Sequence, residues 1–355
     1  MNRRTTRRLV PLRTCRFYTE RRGVQYDPAQ VVVGHGAKQS VYEAIHMLCR
    51  TGDEVIVPSP YWVSYAGIVD MAGATVVDVA TTAEQGWVLQ PDDLAAAITP
   101  STRMLVLCNP CNPTGAVMSR VQLEAVAAVL RQPAHQHVWI LADEIYHQLL
   151  YDGASTACFA SLADMKDRTI TIDGCSKAYA MCGFRLGWLC APPAVAKACA
   201  RMQGQINSCA NTVAMAAAEA ALALPADALA PVLANLADRR QYLLRRLEAM
   251  PGVTCRAGQG ALYLFPNISC TLGKQTAQGT VITGSDAFCE AALKEAGVCC
   301  VPGTAFGMDG YVRVGFAVGM DAIEKGADRL EAFITSLVVA EEGGDAAAAP
   351  IVMGS

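Results

Sequence analysis

The sequence predicts an α/β fold in which a mainly parallel sheet lies between helices and is followed by a smaller α+β domain. Three observations support this prediction. The chain has 355 residues, 52% of them apolar, so it can bury a large core. In its first part, short apolar runs alternate with segments of helical periodicity. After about Asn235, helices and strands follow one another in a mixed order.

Six short runs of β-branched and aliphatic residues are apolar on both faces, which is typical of strands buried in a parallel sheet. We expect strands over residues 31–33, 54–57, 74–77, 104–107, 138–141 and 169–172. Helical segments separate these runs, so right-handed crossovers should join consecutive strands.

Helix signals lie between and after the predicted strands. Apolar residues recur at helical spacing from Ala37 until Gly52, which can end the helix. Ser119 and Gln122 form a capping box ahead of another helix. In the second part we expect helices over residues 239–250 and 288–296, a last helix capped by Asp321 with Glu324, and strands over residues 261–265, 298–301 and 312–314.

These patterns divide the chain into a basic segment (1–16), a large domain (17–235), a small domain (236–338) and a tail (339–355) that we expect to be disordered. The first 22 residues contain eight arginines and no acid before Glu20. This start resembles an organelle-targeting sequence, and the exposed basic start of a cytosolic chain is the alternative. The compartment, cytoplasm or an organelle such as a mitochondrion or plastid, therefore stays open.

The overall composition argues against several classes of function. A net charge of −3 argues against nucleic acid or an anionic membrane as the main partner, and no apolar run reaches the roughly 20 residues of a membrane span. Fifteen cysteines scattered through apolar segments indicate a reduced, intracellular protein. Cys108 and Cys111 form a CxxC motif without a second pair or a histidine at zinc spacing, so we expect no metal site.

The first candidate site motif, GHGAKQ over residues 34–39, joins a strand to a helix. The free backbone N–H groups at the start of the helix, together with the helix dipole, suit a phosphate. Gln39 occupies the place of the third glycine of a dinucleotide-binding motif, so that class of site is not indicated. A plain strand-to-helix turn is the alternative.

Two further motifs follow the fourth and fifth strands, at the edge where open α/β sheets bind ligands. In NPCNPTG, residues 109–115, Asn112 would offer an amide N–H, and a rigid loop is the alternative. Asp143 and Tyr146 would project from one side of a helical turn. A buried carboxylate there needs a cation such as a protonated pyridine nitrogen, although Asp143 could equally cap a helix.

Lys177 and two arginines complete the candidate site. Lys177 follows the sixth strand among small residues, where a desolvated amine can act as a nucleophile. A surface lysine is the alternative. Arg185 lies eight residues further on and suits a phosphate, whereas Arg313 in an apolar strand suits a carboxylate.

In this order, the motifs resemble the class I and II aminotransferases of fold type I, which depend on pyridoxal 5′-phosphate. The sequence looks most like the bacterial-type aspartate and prephenate aminotransferases. The resemblance runs from about Phe17 to Leu337 and rests on residues 33–39, 52–65, 112–115, 143–146, 176–187, 260–265 and 301–313.

The resemblance implies how the cofactor would be bound. Lys177 would bind pyridoxal phosphate covalently and act as general base and acid, and Asp143 would keep the ring nitrogen protonated. Tyr146 and Asn112 would hydrogen-bond the phenolic oxygen, and Trp62 would stack on the ring. The phosphate would be bound by Ala37, Lys38, Ser176 and Arg185.

The resemblance also implies the reaction. Arg313 would bind the substrate's α-carboxylate, with Trp62 and Asn112 in the same substrate site, and Lys38 would bind a distal carboxylate or strengthen the phosphate site. The expected activity is ping-pong transamination between an amino acid of the aspartate or glutamate type, with prephenate as a further candidate, and a 2-oxo acid. A homodimer is the implied assembly.

Two alternatives stay open. One is an aromatic or kynurenine aminotransferase, or a carbon–sulfur lyase, on the same fold. The other follows from the N-terminus, because family members carry several dozen residues ahead of the position of Phe17. A chain without that segment would be a catalytically impaired member, with weak phosphate binding and a site open to water.

Overall fold

In the computed structural model of the chain, residues 3–339 are described, with side chains from residue 9 onward; the predicted tail beyond residue 339 lies outside them. The α-helices in this range are α1 (Arg3–Phe17), α2 (Ala37–Leu48), α3 (Ser64–Met71), α4 (Pro91–Ala97), α5 (Arg120–Arg131), α6 (Pro193–Ile206), α7 (Thr212–Leu222), α8 (Ala230–Ala249), α9 (Ser285–Ala291) and α10 (Met320–Ser336). The strands are β1 (Val31–Gly34), β2 (Glu54–Ser59), β3 (Thr75–Ala80), β4 (Thr102–Cys108), β5 (Trp139–Asp143), β6 (Thr169–Gly174), β7 (Gly187–Cys190), β8 (Tyr263–Leu264), β9 (Lys274–Gln275), β10 (Val301–Pro302), β11 (Val312–Gly315) and β12 (Val338–Val339).

A seven-stranded sheet with the order β1-β7-β6-β5-β4-β2-β3 forms the larger part of the molecule. The strands from β6 to β3 pair in parallel, which confirms the mainly parallel sheet and all six predicted strands. Strand β7 was not predicted, because its four residues carry no periodic signal. It lies antiparallel between β1 and β6, and its register pairs Gly187 with both Gly34 and Gly174.

Both faces of this sheet are covered by helices. Successive side chains of a strand alternate between faces, so Val55 and Val57 pack with helices α2, α3 and α6, while Ile56 packs with α4 and α5. The predicted capping box is present at the start of α5, where Ser119 accepts from the backbone N–H of Gln122. The central strands of the sheet are therefore covered on both faces, as their continuous apolar sequence requires.

The N-terminal helix α1 packs against α7 and the β1 edge of the sheet. Val10 and Tyr18 are fully buried, and Phe17 is nearly so. A short π turn (Tyr18–Arg22) follows, and Arg22 forms an ion pair with Glu144 at 2.6 Å with both side chains buried. Residues 10–22 thus contribute to the same core as the sheet.

A second, three-stranded sheet with the order β10-β11-β8 lies in the C-terminal part and packs with α8, α9 and α10. Strand β11 confirms the strand predicted at 312–314, whereas the other two strands are shorter than predicted. Strand β8 is confined to Tyr263–Leu264 because Ala261 has a positive φ of 59° and its N–H donates to the carbonyl of Leu149. The predicted strand at 298–301 is reduced to β10. Helix α8 runs through residue 235, and the predicted domain boundary there stays a prediction.

Two helix predictions in this part were wrong in detail. Asp321 does not cap α10, because the helix begins at Met320 and the residue before it is Gly319. Asp321 lies in the first turn instead, where the helix dipole favours a carboxylate. The predicted helix 288–296 consists of α9 and a π turn, Ala292–Ala296, that ends at Gly297. Within residues 3–339, no helix combines the length and apolar character that a bilayer span requires.

Candidate active site

A cavity of about 320 Å³ opens at the carboxyl ends of β4, β5 and β6. All ten site residues predicted from the sequence line it: Ala37, Lys38, Trp62, Asn112, Asp143, Tyr146, Ser176, Lys177, Arg185 and Arg313. The structure therefore brings together residues that are spread over most of the chain. It adds lining residues that were not predicted as part of the site: Tyr65, Cys108, Ile145, Cys182 and Tyr263.

The N-terminus of α2 forms one end of the cavity. Gly36 precedes the helix with a φ of 81°, and its backbone lies so close to Arg185 that a Cβ atom would be 2.6 Å from the guanidinium. Gly187 packs directly on this turn, because a Cβ there would be 2.3 Å from the backbone nitrogen of Ala37. Free N–H groups, the helix dipole and a guanidinium thus converge on a cradle suited to an anion.

Asp143, the last residue of β5, lines the cavity at the carboxyl end of that strand. Its carboxylate accepts hydrogen bonds from the hydroxyl of Tyr65 at 2.6 Å and from the backbone N–H of Ile145 at 3.2 Å. Burial raises the pKa of Asp143 to about 6, against the lowering effect of the Tyr65 hydrogen bond. No cation forms an ion pair with Asp143 among the described residues. A ligand with a protonated nitrogen would satisfy this carboxylate.

Lys177 lines the cavity from the turn that follows β6. Its amine is 5.7 Å from the centre of the Tyr146 ring. The hydroxyl of Tyr146 hydrogen-bonds that of Tyr263 at 3.1 Å, and burial raises the pKa of Tyr146 well above its usual value. The thiol of Cys182 donates to the carbonyl of Ser176 at 2.9 Å, which fixes the turn. An amine and a neutral phenol thus face the same space.

Arg313 enters the cavity from β11 of the second sheet. It donates to the side-chain oxygen of Asn112 at 3.0 Å, and its guanidinium carbon lies 4.3 Å from the ring centre of Tyr263 and 5.0 Å from that of Phe306. None of these partners carries a negative charge. The guanidinium is therefore held in place with capacity left for a carboxylate.

Trp62 forms one wall of the cavity. Its ring packs edge-on to Tyr65 with a centre-to-centre distance of 5.3 Å, and the amine of Lys38 lies 4.9 Å from the tryptophan ring centre. Because a cation over an indole face is stabilised by a modest amount, about 1 kcal/mol, Lys38 can leave this position for an anionic ligand group.

The residues present fit pyridoxal phosphate. The anion cradle at α2 suits its phosphate, and the buried Asp143, which lacks an ionic partner among residues 3–339, suits its ring nitrogen. Lys177, Tyr146 and Asn112 line the same cavity and would face the reactive side of the ring. Tyr65 was not predicted as a site residue, because the YWVSY run that contains it is equally typical of a helix that buries its tyrosine in the core.

A comparison with protein families gives the class. The model of the family "aminotransferase class I and II" matches residues 12–330 of this chain. The chain therefore belongs to the class I and II aminotransferase family. Its seven-stranded sheet and helical layers agree with those of solved aspartate aminotransferases, which confirms the predicted fold type I.

Individual relatives narrow the class further. The chain is 39% identical to the aspartate aminotransferase of Pinus pinaster over 89% of its own length and 65% of that protein's length. It is also 39% identical to the aspartate/prephenate aminotransferase of Cereibacter sphaeroides, over 91% and 80% of the two lengths. The aspartate aminotransferase structure of Rhizobium meliloti superposes with a TM-score of 0.89 at 35% identity, covering 93% of this chain and 82% of that one.

Proposed function

We propose that this chain is a pyridoxal-phosphate-dependent transaminase that moves an amino group between an amino acid of the aspartate or glutamate type and a 2-oxo acid. The observation that carries the proposal is the convergence of Lys177, Asp143 and Arg313 on one cavity with the anion cradle of α2 at its end. The relatives named above are aspartate and aspartate/prephenate aminotransferases, which supports a dicarboxylic substrate.

When bound, pyridoxal phosphate would supply an aldehyde for covalent attachment and a ring that accepts electrons from the substrate's α-carbon. Asp143 would hold a proton on the ring nitrogen, because a cation beside this buried carboxylate relieves the cost of its charge. Tyr146 and Asn112 would orient the ring through its phenolic oxygen. Ala37, Lys38, Ser176 and Arg185 would bind the phosphate.

Lys177 would act twice. Its amine would bind the cofactor at rest and, once displaced by the substrate's amino group, move the proton away from and back to the α-carbon side. Arg313 would bind the α-carboxylate as a bidentate partner, which fixes the α-carbon within reach of Lys177. The same groups would then act in reverse order on a 2-oxo acid, which makes the cycle ping-pong.

Lys38 is the candidate for recognition of a distal carboxylate, since its amine lies on the Trp62 face at the cavity wall. Aspartate, glutamate, their 2-oxo acids and prephenate share that group. We further propose a homodimer as the assembly and pyridoxal 5′-phosphate as the only cofactor.

The test is an absorption spectrum of the purified chain with pyridoxal phosphate, before and after aspartate is added. We expect a visible band of covalently bound cofactor that changes to the amino form of the cofactor with aspartate. The band should be absent in Lys177→Ala and unchanged in Lys197→Ala, an exposed lysine of α6 that serves as the matched control.

Other outcomes separate the alternatives. A band that responds to aromatic amino acids or kynurenine but not to aspartate would indicate a different transaminase. Release of a thiol and pyruvate from a sulfur-containing amino acid would indicate a lyase. A wild-type chain without any band would contradict the proposed function.

A further inference from the structure

Two cysteines outside the cavity are in contact where helix α9 meets the edge strand β10 of the second sheet. Cys289 is in α9, and Cys300 directly precedes β10. The π turn Ala292–Ala296 and Gly297, with a φ of 64°, reverse the chain between them, and the N–H of Val298 donates to the carbonyl of Ala292. The two sulfur atoms are 3.4 Å apart. The backbone between the cysteines thus holds their thiols face to face.

The two thiols differ in exposure and in the direction of their pKa shifts. Cys289 is 8% exposed and packs with Phe288 and Phe333 in the core of this part, whereas Cys300 is only partly buried. The thiol of Cys289 can donate to the sulfur of Cys300, which lowers the pKa of Cys300 and raises that of Cys289. Cys300 is therefore the thiol that becomes a nucleophile first, and Cys289 is the one that follows.

We propose that Cys289 and Cys300 form a modification site at which a small-molecule disulfide, such as oxidised glutathione, converts the two thiols into one intramolecular disulfide. The Cys300 thiolate attacks the small disulfide, a mixed disulfide forms, and one small thiolate leaves. Cys289 then loses its proton and attacks the sulfur of Cys300, which releases the second small thiol. The protein loses two protons and two electrons, and the small disulfide is reduced to two thiols.

The bond requires only a small movement. A disulfide places its sulfurs about 2.05 Å apart, so the two atoms must approach by roughly 1.4 Å from the present contact. Helix α9 is already fixed to the neighbouring turn, because Asp286 accepts from the hydroxyl of Thr304 at 2.6 Å. We expect side-chain rotation and a small shift of the strand end to supply the movement.

The site is next to the strand that carries Arg313. Val301, the residue after Cys300, pairs in register with Arg313 across β10 and β11. A disulfide would restrain β10 against α9 and so restrain the backbone from which Arg313 enters the cavity. The oxidation itself can be measured without any activity assay, so this proposal stands apart from the proposed function.

The test uses the full chain, incubated with oxidised glutathione under native conditions, alkylated and digested with trypsin. Cleavage after Lys274, Lys294 and Arg313 places Cys289 in peptide 275–294 and both Cys299 and Cys300 in peptide 295–313. We expect these two peptides to be recovered joined by a disulfide, with the chain lighter by two hydrogen atoms and free of glutathione at this site.

Three variants assign the bond. In Cys299→Ser, in which the exposed neighbour of Cys300 is removed, the joined peptides should persist. In Cys289→Ser, peptide 295–313 should keep glutathione, because the thiol that resolves the mixed disulfide is missing. In Cys300→Ser, Cys289 should stay reduced. Loss of the joined peptides in Cys299→Ser, or glutathione that stays on Cys300 in the wild-type chain, would overturn the proposal.

Discussion

Tyr65 illustrates how one hydroxyl sets the charge of the candidate site. It donates at 2.6 Å to Asp143, and this hydrogen bond lowers a carboxyl pKa that burial raises to about 6. Without the donor, the ionised form of Asp143 would lose a buried partner worth about 1.5–3 kcal/mol. The pKa of Asp143 would then rise further, toward the pH at which the enzyme works.

We therefore expect Tyr65→Phe to slow the half-reaction with aspartate by about 10- to 100-fold near neutral pH, the rate equivalent of that loss. The pH below which the rate of this half-reaction declines should also be higher in the variant. Single-turnover spectra recorded across pH measure both. Tyr42→Phe on the outer side of α2, where the ring stacks on His46, is the matched control. A variant with an unchanged pH profile would show that Tyr65 does not act through Asp143.

Lys38 is the residue on which substrate choice depends in the proposed function. Lys38→Met keeps the chain length and the packing on Trp62 but removes the charge. We expect kcat/KM for aspartate to fall by about 10- to 100-fold, the usual worth of a charge-assisted hydrogen bond, with little change for phenylalanine. An equal loss for both amino acids would instead assign Lys38 to the phosphate site.

Helix α2 carries a buried acid, Glu43, that does not line the cavity. Glu43 is fully buried; one oxygen accepts from Gln39 at 2.7 Å, and the other has no hydrogen-bond partner among the described residues. Burial raises the pKa of Glu43 to about 7. The pKa of Glu43 is thus higher in the folded chain than in the unfolded one. The protonated side chain therefore contributes stability that is fully present below the unfolded pKa and is lost as pH rises through about 7, where the buried carboxyl ionises.

Glu43→Gln should consequently stabilise the chain on the alkaline side. We expect a gain of about 2 kcal/mol in the free energy of unfolding near pH 8, and little gain near pH 5, where Glu43 is already protonated. Urea unfolding at the two pH values measures the difference. Glu324→Gln, at an exposed position of α10, should change neither value. A gain of equal size at both pH values would contradict the proposed cause.

The sheet and its helices follow closely from local sequence. Strands β1 to β6 were predicted because each is an apolar run bounded by turn residues, and α5 because its capping box lies entirely within four residues. Strand β7 was not predicted, and β8 and β10 are shorter than predicted, whereas β11 confirms its prediction. Strands this short depend on pairing partners outside their own run: β8 pairs with β11 through Leu264 and Val314, and β7 pairs with β1 through Leu189 and Val32.

On the scale of the whole molecule, one buried ion pair connects the N-terminal segment to the candidate site. Arg22 and Glu144 are 122 residues apart in sequence, and their side chains are only 8% and 4% exposed. Glu144 also accepts from the backbone N–H of Phe159 and directly follows Asp143. Removal of the arginine would leave a buried carboxylate without its cation, at a cost of about 3–5 kcal/mol.

Arg22→Met should therefore lower the free energy of unfolding by that amount, and Arg22→Met with Glu144→Gln should recover part of it, since no charge is then left buried. Chemical denaturation of the wild type, the two single variants and the double variant gives the coupling. Arg16 and Glu20 form an exposed pair in the same region and provide the comparison, with an expected effect below about 1 kcal/mol. Equal effects for both pairs would contradict the structural account.

By itself, the sequence determined the fold class and most of the large sheet, because these depend on patterns within a few neighbouring residues. Its motifs, together with the family resemblance they carry, also gave ten of the fifteen residues that line the cavity. The tertiary structure alone decided which residues meet. The pairing of Arg313 with Asn112 spans 201 residues, and that of Tyr65 with Asp143 spans 78. Such contacts leave no local pattern, because their energy arises only when the folded chain removes both partners from water.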